Sequence, residues 1–145
     1  MYPARLDEKG RLKLPTAFQT YFSALPERKL FATSLDRRTA QVYPMSEWRD
    51  NIKFLQSHTE HARAARRVAF NAADLGSESE MDGQGRIQFS VELRRALEIE
   101  NQPVHVFTYK GRLEVLPEKV YEEMKKDSGD VTADDISDLE AAGLK

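Results

Sequence analysis

An internal repeat constrains this chain more than any other feature. Leu6-Asp7-Glu8-Lys9-Gly10-Arg11-Leu12-Lys13-Leu14 returns 75 residues later as Met81-Asp82-Gly83-Gln84-Gly85-Arg86-Ile87-Gln88-Phe89. Downstream, Lys29 to Ser34 and Thr39 to Tyr43 read as two strands around Leu35-Asp36-Arg37-Arg38. Val104 to Tyr109 and Arg112 to Leu116 read as two strands around Lys110-Gly111. Each pair runs into a proline that opens a helix, Pro44 before Met45, Trp48, Ile52 and Leu55, and Pro117 before Val120, Tyr121 and Met124. Both halves therefore read strand, tight turn, strand, short helix, hairpin, longer helix. Units this small leave sheet edges open and cannot enclose a core alone, so two copies about a pseudo-twofold axis are expected to pair edges and close a small barrel.

The expected organisation is a first half over 1–57, a linking helix within 58–77, a second half over 78–126 and an acidic remainder over 127–145. In the first half, Thr16 and Gln19 stand at capping-box spacing, with Phe18, Tyr21 and Phe22 expected to face inward. Ser90 is the expected cap of the matching helix before Leu93, Ala96 and Leu97. Between the halves, Glu60 to Ala73 places Ala62, Ala65, Ala69 and Ala72 along one side of a helix, with Arg63, Arg66 and Arg67 around the rest. Past Met124 the periodicity fades, and the remainder, anchored only by Ile136, Leu139 and Leu144, is expected to be a mobile tail.

Charge is unevenly divided. The chain carries a net −2, but the tail holds six acids against one lysine, which leaves residues 1–126 at +3. That body is mildly basic, and only a local cationic face would sit on phosphates. With no cysteine there is no disulfide, zinc-thiolate, iron-sulfur or thiol chemistry. No apolar run nears the ~20 residues of a membrane helix, and Met1 to Asp7 lacks the apolar stretch of a signal peptide. A soluble, cytoplasmic chain is the expectation, with no membrane partner.

The repeated turn carries the chemistry. Gly10 and Gly85 allow a positive φ, and Asp7 and Asp82 can accept amide hydrogen bonds across their turns. Shape alone does not require Arg11 and Arg86. A guanidinium leaving a turn can grip a phosphate or the major-groove edge of guanine, oriented by its aspartate. The same residues also admit a local role in which each arginine pairs with its aspartate and only stiffens the turn. Alternation puts Leu12, Leu14, Ile87 and Phe89 on one face, with Arg11, Lys13, Arg86 and Gln88 on the other.

Over about residues 5 to 125 the sequence resembles the MraZ family, bacterial proteins built from two tandem halves of the SpoVT/AbrB-like type. The match rests on Leu6 to Pro15, on Val42-Tyr43-Pro44-Met45-Ser46-Glu47-Trp48 and on Met81 to Ile87. The resemblance implies an α+β fold in which the halves form a swapped-hairpin β-barrel with flanking helices. It also implies a nucleoid-associated regulator of transcription acting at DNA repeats upstream of its own operon in the division and cell-wall gene cluster. Family members assemble into rings, so a homo-oligomer is implied too. The family's Asp-x-x-x-Arg pattern falls on Asp7 with Arg11 and Asp82 with Arg86, and its DNA-contacting role carries over to those positions. Lys9, Lys13 and Arg5 are expected to neutralise phosphates nearby. Ser90 stands where a proline matching Pro15 is expected, and Gln88 lacks the charge of Lys13, so the second half is expected to hold DNA less strongly.

Other functions find little support in the residues. His58 and His61, with Glu60 between, would share a side of a helix, but His105 is distant and a surface pair is the expectation, not a metal centre. Glu80 to Glu92 resembles a calcium loop in having Gly85 sixth and Ile87 eighth, yet Val91 occupies the twelfth place, where the closing glutamate belongs. Neither a phosphate-cradling glycine loop with its Lys-Ser/Thr nor a Gly-x-Ser-x-Gly elbow is present. No enzyme, cofactor or small-molecule substrate is expected. The competing class is a pure assembly module whose arginine turns join subunits rather than DNA.

Overall fold

Apolar alternation sets the strands, and prolines open three of the helices. The computed structural model describes residues 1–145 and is α+β. The first half runs β1 (Tyr2–Arg5), β2 (Arg11–Lys13), α1 (Thr16–Ser23), β3 (Lys29–Thr33), β4 (Ala40–Pro44) and α2 (Met45–Ser57). After α3 (Ala62–Leu75) the order repeats as β5 (Ser77–Glu80), β6 (Arg86–Gln88), α4 (Val91–Leu97), β7 (Pro103–Tyr109), β8 (Arg112–Pro117) and α5 (Glu118–Ser128), and α6 (Ala133–Ala142) follows. Pro15, Pro44 and Pro117 stand at the N-caps of α1, α2 and α5, where the fixed ring φ suits helix entry and no side-chain cap is made.

The halves interleave. A six-stranded antiparallel sheet has the order β1-β7-β8-β4-β3-β5, so each half's first strand lies on the other half's hairpin. β2 and β6 form a separate antiparallel ribbon. Two cross-half pairs sit at equivalent positions of the repeat and so lie on the pseudo-twofold axis: Leu12 opposite Ile87 in the ribbon, and Gln41 opposite Glu114 between β4 and β8. On that axis the Gln41 Nε2 donates to the Glu114 carboxylate at 2.9 Å, and Arg112 Nε donates to the other carboxylate oxygen at 2.7 Å, so this buried acid is matched by donors.

One core of 19 buried residues draws on both halves, with Leu6, Leu12, Leu14, Phe18 and Phe22 packed with Ile87, Phe89, Leu93 and Leu97. A second cluster joins Tyr43, Met45 and Trp48 to Ala72 of α3, with Phe31 stacked on Trp48 at 4.7 Å between centroids. No helix is long and apolar enough to cross a membrane.

The six-stranded ladder ends on β1 and β5, where the chain enters the turns at 7–10 and 82–85, and a Leu6–Leu12 bridge stands beside the first of them. Several local expectations are corrected. Thr16 forms no capping box, since Pro15 is the N-cap and Gln19 Nε2 instead donates back to the Leu14 carbonyl at 2.7 Å. Tyr21 points outward at the helix edge, 43% exposed, while Phe18 and Phe22 are buried. Ser90 does cap α4, its Oγ accepting from the Leu93 amide at 3.1 Å. Within the acidic tail the chain forms α6, which two apolar residues alone were too few to signal by periodicity. Every residue from Met124 onward is exposed.

Candidate nucleic-acid interface

Each repeated turn is folded by its aspartate. Asp7 Oδ1 accepts the amides of Lys9 at 3.0 Å and Arg11 at 2.9 Å, and its Oδ2 accepts Arg11 Nε at 2.8 Å. Asp82 repeats the pattern: its Oδ1 accepts the amides of Gln84 and Arg86, both at 2.9 Å, and its Oδ2 accepts Arg86 Nε at 2.9 Å. The backbone closes the same way in both, with Gly10 and Gly85 at φ +79° and +74° donating to the carbonyls of Asp7 and Asp82 at 3.0 Å. Donation from the Arg11 amide, then from its guanidinium and the Lys9 amide, outweighs desolvation and holds the Asp7 carboxyl below the usual range. The Arg86 amide leads the same effect at Asp82, followed by the Gln84 amide and the Arg86 guanidinium.

Each turn is also braced by the opposite half. Leu14 N donates to the Gly85 carbonyl and Phe89 N to the Gly10 carbonyl, both at 2.9 Å. Lys13 Nζ donates to the Gln84 carbonyl, and its repeat equivalent Gln88 donates through Nε2 to the Lys9 carbonyl at 2.7 Å. Beneath the glycines lie Arg94 and Gln19, another equivalent pair: a Cβ on Gly10 would meet Arg94 Nη1 at 2.2 Å, and one on Gly85 would meet Gln19 Cδ at 2.2 Å. Arg94 Nη1 donates to the Phe89 carbonyl at 2.8 Å, as Gln19 does to Leu14. These two supports were missed in the sequence, although both stand at the 75-residue offset, because their side-chain types differ.

The arrangement brings Arg11, Lys13, Arg86 and Gln88 together on the outer face of the ribbon, with Lys9 exposed in the adjoining turn. Arg11 and Arg86 keep 29% and 23% of their side-chain surface exposed. In both, Nε is bound to the aspartate and the terminal nitrogens make no hydrogen bond within the chain. Two of the expected phosphate contacts have partners of their own: Lys13 spans the two turns, and Arg5, at the end of β1, donates to the Asn101 carbonyl at 3.1 Å. Elsewhere, His58, Glu60 and His61 lie in the α2–α3 junction and not on a shared helix face, with one ligand atom from each within 4.8 Å of the others.

No protein-family model matches the chain. Individual relatives do. The transcriptional regulator MraZ of Acidobacterium capsulatum is 31% identical over 143 residues, spanning 99% of this chain and 97% of the relative. That of Koribacter versatilis is 30% identical over 147 residues at the same coverage. That of Herpetosiphon aurantiacus is 36% identical over 107 residues, 71% of this chain and 69% of the relative. Identity at this level along nearly the whole length, over a fold in which both Asp-x-x-x-Arg turns adopt one geometry, places the chain in the MraZ family.

Proposed function

We propose that this chain is a transcriptional regulator that reads double-stranded DNA with the β2–β6 ribbon, acting as a homo-oligomer. The observation that carries the reading is the shared state of Arg11 and Arg86: each is fixed through Nε by a charge-assisted bond, which leaves two free terminal nitrogens. That is the donor pair a guanidinium presents to guanine O6 and N7, and a two-stranded ribbon fits the major groove. A turn stiffened for its own sake would gain from engaging those nitrogens as well. Lys9 lies beside them to neutralise phosphate, while Lys13 and Arg5 contribute charge from anchored positions.

The modest cationic face argues for avidity: several subunits on spaced repeats gain affinity that one ribbon lacks. By the family resemblance those repeats lie upstream of the chain's own operon in the division and cell-wall gene cluster, and the molecule works at the nucleoid in the cytoplasm. The interleaved pairing of β1 with β7 and β5 with β3 supports the swapped-hairpin type.

Mobility-shift titration on the upstream repeats tests the reading. Arg11→Ala and Arg86→Ala should each cost about 1–3 kcal/mol per engaged subunit and relax sequence preference. Lys9→Ala should weaken all sequences alike and flatten the salt dependence by about 0.9 in slope. Undiminished binding by both arginine variants would refute the proposal.

A further inference from the structure

Helix α6 is fully capped yet covers nothing. At its start Thr132 and Asp135 form a reciprocal capping box, at 3.1 and 3.0 Å. At its end Leu144 N returns to the Leu139 carbonyl at 2.8 Å and Gly143 N to that of Glu140 at 3.1 Å. Helices this short are marginal in water without packing. Ile136 and Leu139, three apart on one side, are 43% and 57% exposed, and Val131 and Leu144 flank them, 58% and 53% exposed. The remainder of the tail is acidic.

The body carries a complementary surface. Between α2 and α3 runs a groove of about 260 Å³ lined by Phe31, Trp48, Ile52, Leu55, Ala69 and Ala73. It is small for an organic ligand and offers almost no polar group, so it suits a pair of aliphatic side chains better than a phosphate. Arg63, Arg66 and Arg67 on α3 and Lys53 on α2 are exposed, and none has an ion-pair partner within the chain.

We propose that α6 of one chain docks in the α2–α3 groove of a second copy, placing Ile136 and Leu139 on the apolar floor and the tail's acids against Arg66 at its rim, with Arg63 and Lys53 beyond. The contact is heterologous, so repetition gives a ring or an open chain of subunits. The inference rests on the proposed function only where that calls for a homo-oligomer, and it supplies the surfaces.

The absence of native cysteine allows a direct test in the full chain. Ile52→Cys and Leu139→Cys variants are made separately, mixed, and oxidised with copper phenanthroline without DNA. Docking gives a disulfide-linked heterodimer in preference to either homodimer. Ser137→Cys, about 200° round the helix from Leu139, gives far less with Ile52→Cys. Reversing Arg63 and Arg66 to Glu, both exposed positions, lowers the heterodimer yield severalfold. The proposal is overturned by equal yields from Ser137→Cys and Leu139→Cys, by no heterodimer, by a yield indifferent to charge reversal, or by an intrachain bond in place of disulfide-linked oligomers when both cysteines are put in one chain. Because DNA is left out, such a failure leaves the ribbon's proposed role standing, and failure of that role leaves this test informative.

Discussion

Asp7 does two jobs with one half-exposed carboxylate: it closes the turn through two amides and orients Arg11. Asp82 does the same in the second half. Both are held below the aspartate value of the unfolded chain, about 3.9. Their stabilising contribution is therefore present above that value and lost as pH falls through the lower folded value. Thermal unfolding followed by circular dichroism should show the midpoint dropping in strongly acidic buffer. The Asp7→Asn, Asp82→Asn double variant should lose part of that acid dependence while being less stable at neutral pH. An acid limb unchanged by the double substitution would assign the effect to other carboxylates. The roles of these aspartates were legible in the sequence, since Asp-x-x-Gly-Arg names both the acceptor and the residue with positive φ. The fates of Lys13 and Arg5 were not, because the carbonyls they reach, Gln84 and Asn101, lie 71 and 96 residues away.

At the level of elements, the ribbon is braced because each turn leans on the other half's short helix. Gly10 is doubly constrained, by φ +79° and by Arg94 beneath it. Gly10→Ala should destabilise by about 1–3 kcal/mol in urea titration from backbone strain alone, with a further cost from displacing Arg94. Adding Arg94→Ala should relieve the clash but not the strain, so the two effects are separable in a double-mutant cycle. Strictly additive losses would show that Arg94 does not limit the space under the glycine. Strand and helix positions were largely readable from alternation and from Pro44 and Pro117. The capping box expected of Thr16 failed because Pro15 took the cap, and Tyr21 stands at the edge of the face that Phe18 and Phe22 bury, where 43% of it stays exposed. Helix α6 was hidden because a cap signal at Thr132 precedes only two well-spaced apolar residues.

For the whole molecule, interleaving makes the halves interdependent. β1 finds its partner only in β7, β5 only in β3, and β2 only in β6. Separate chains spanning 1–76 and 77–145 should each lack a cooperative thermal transition, and mixing them should restore it. Independent folding of either fragment would mean that the shared core of 19 residues is not required. Sequence alone determined what is local or periodic: the duplication, the two aspartate-glycine-arginine turns, the inward leucines and outward cations of the ribbon, and the proline-led helices. These follow from backbone conformations and hydrogen bonds closed within a few residues. Tertiary structure alone decided which half supplies each strand's neighbour, and that Gln19, Arg94, Lys13 and Gln88 brace the turn opposite their own. Those outcomes depend on contacts between residues 45 or more positions apart, from Ala32 opposite Ser77 upward, which no local pattern encodes.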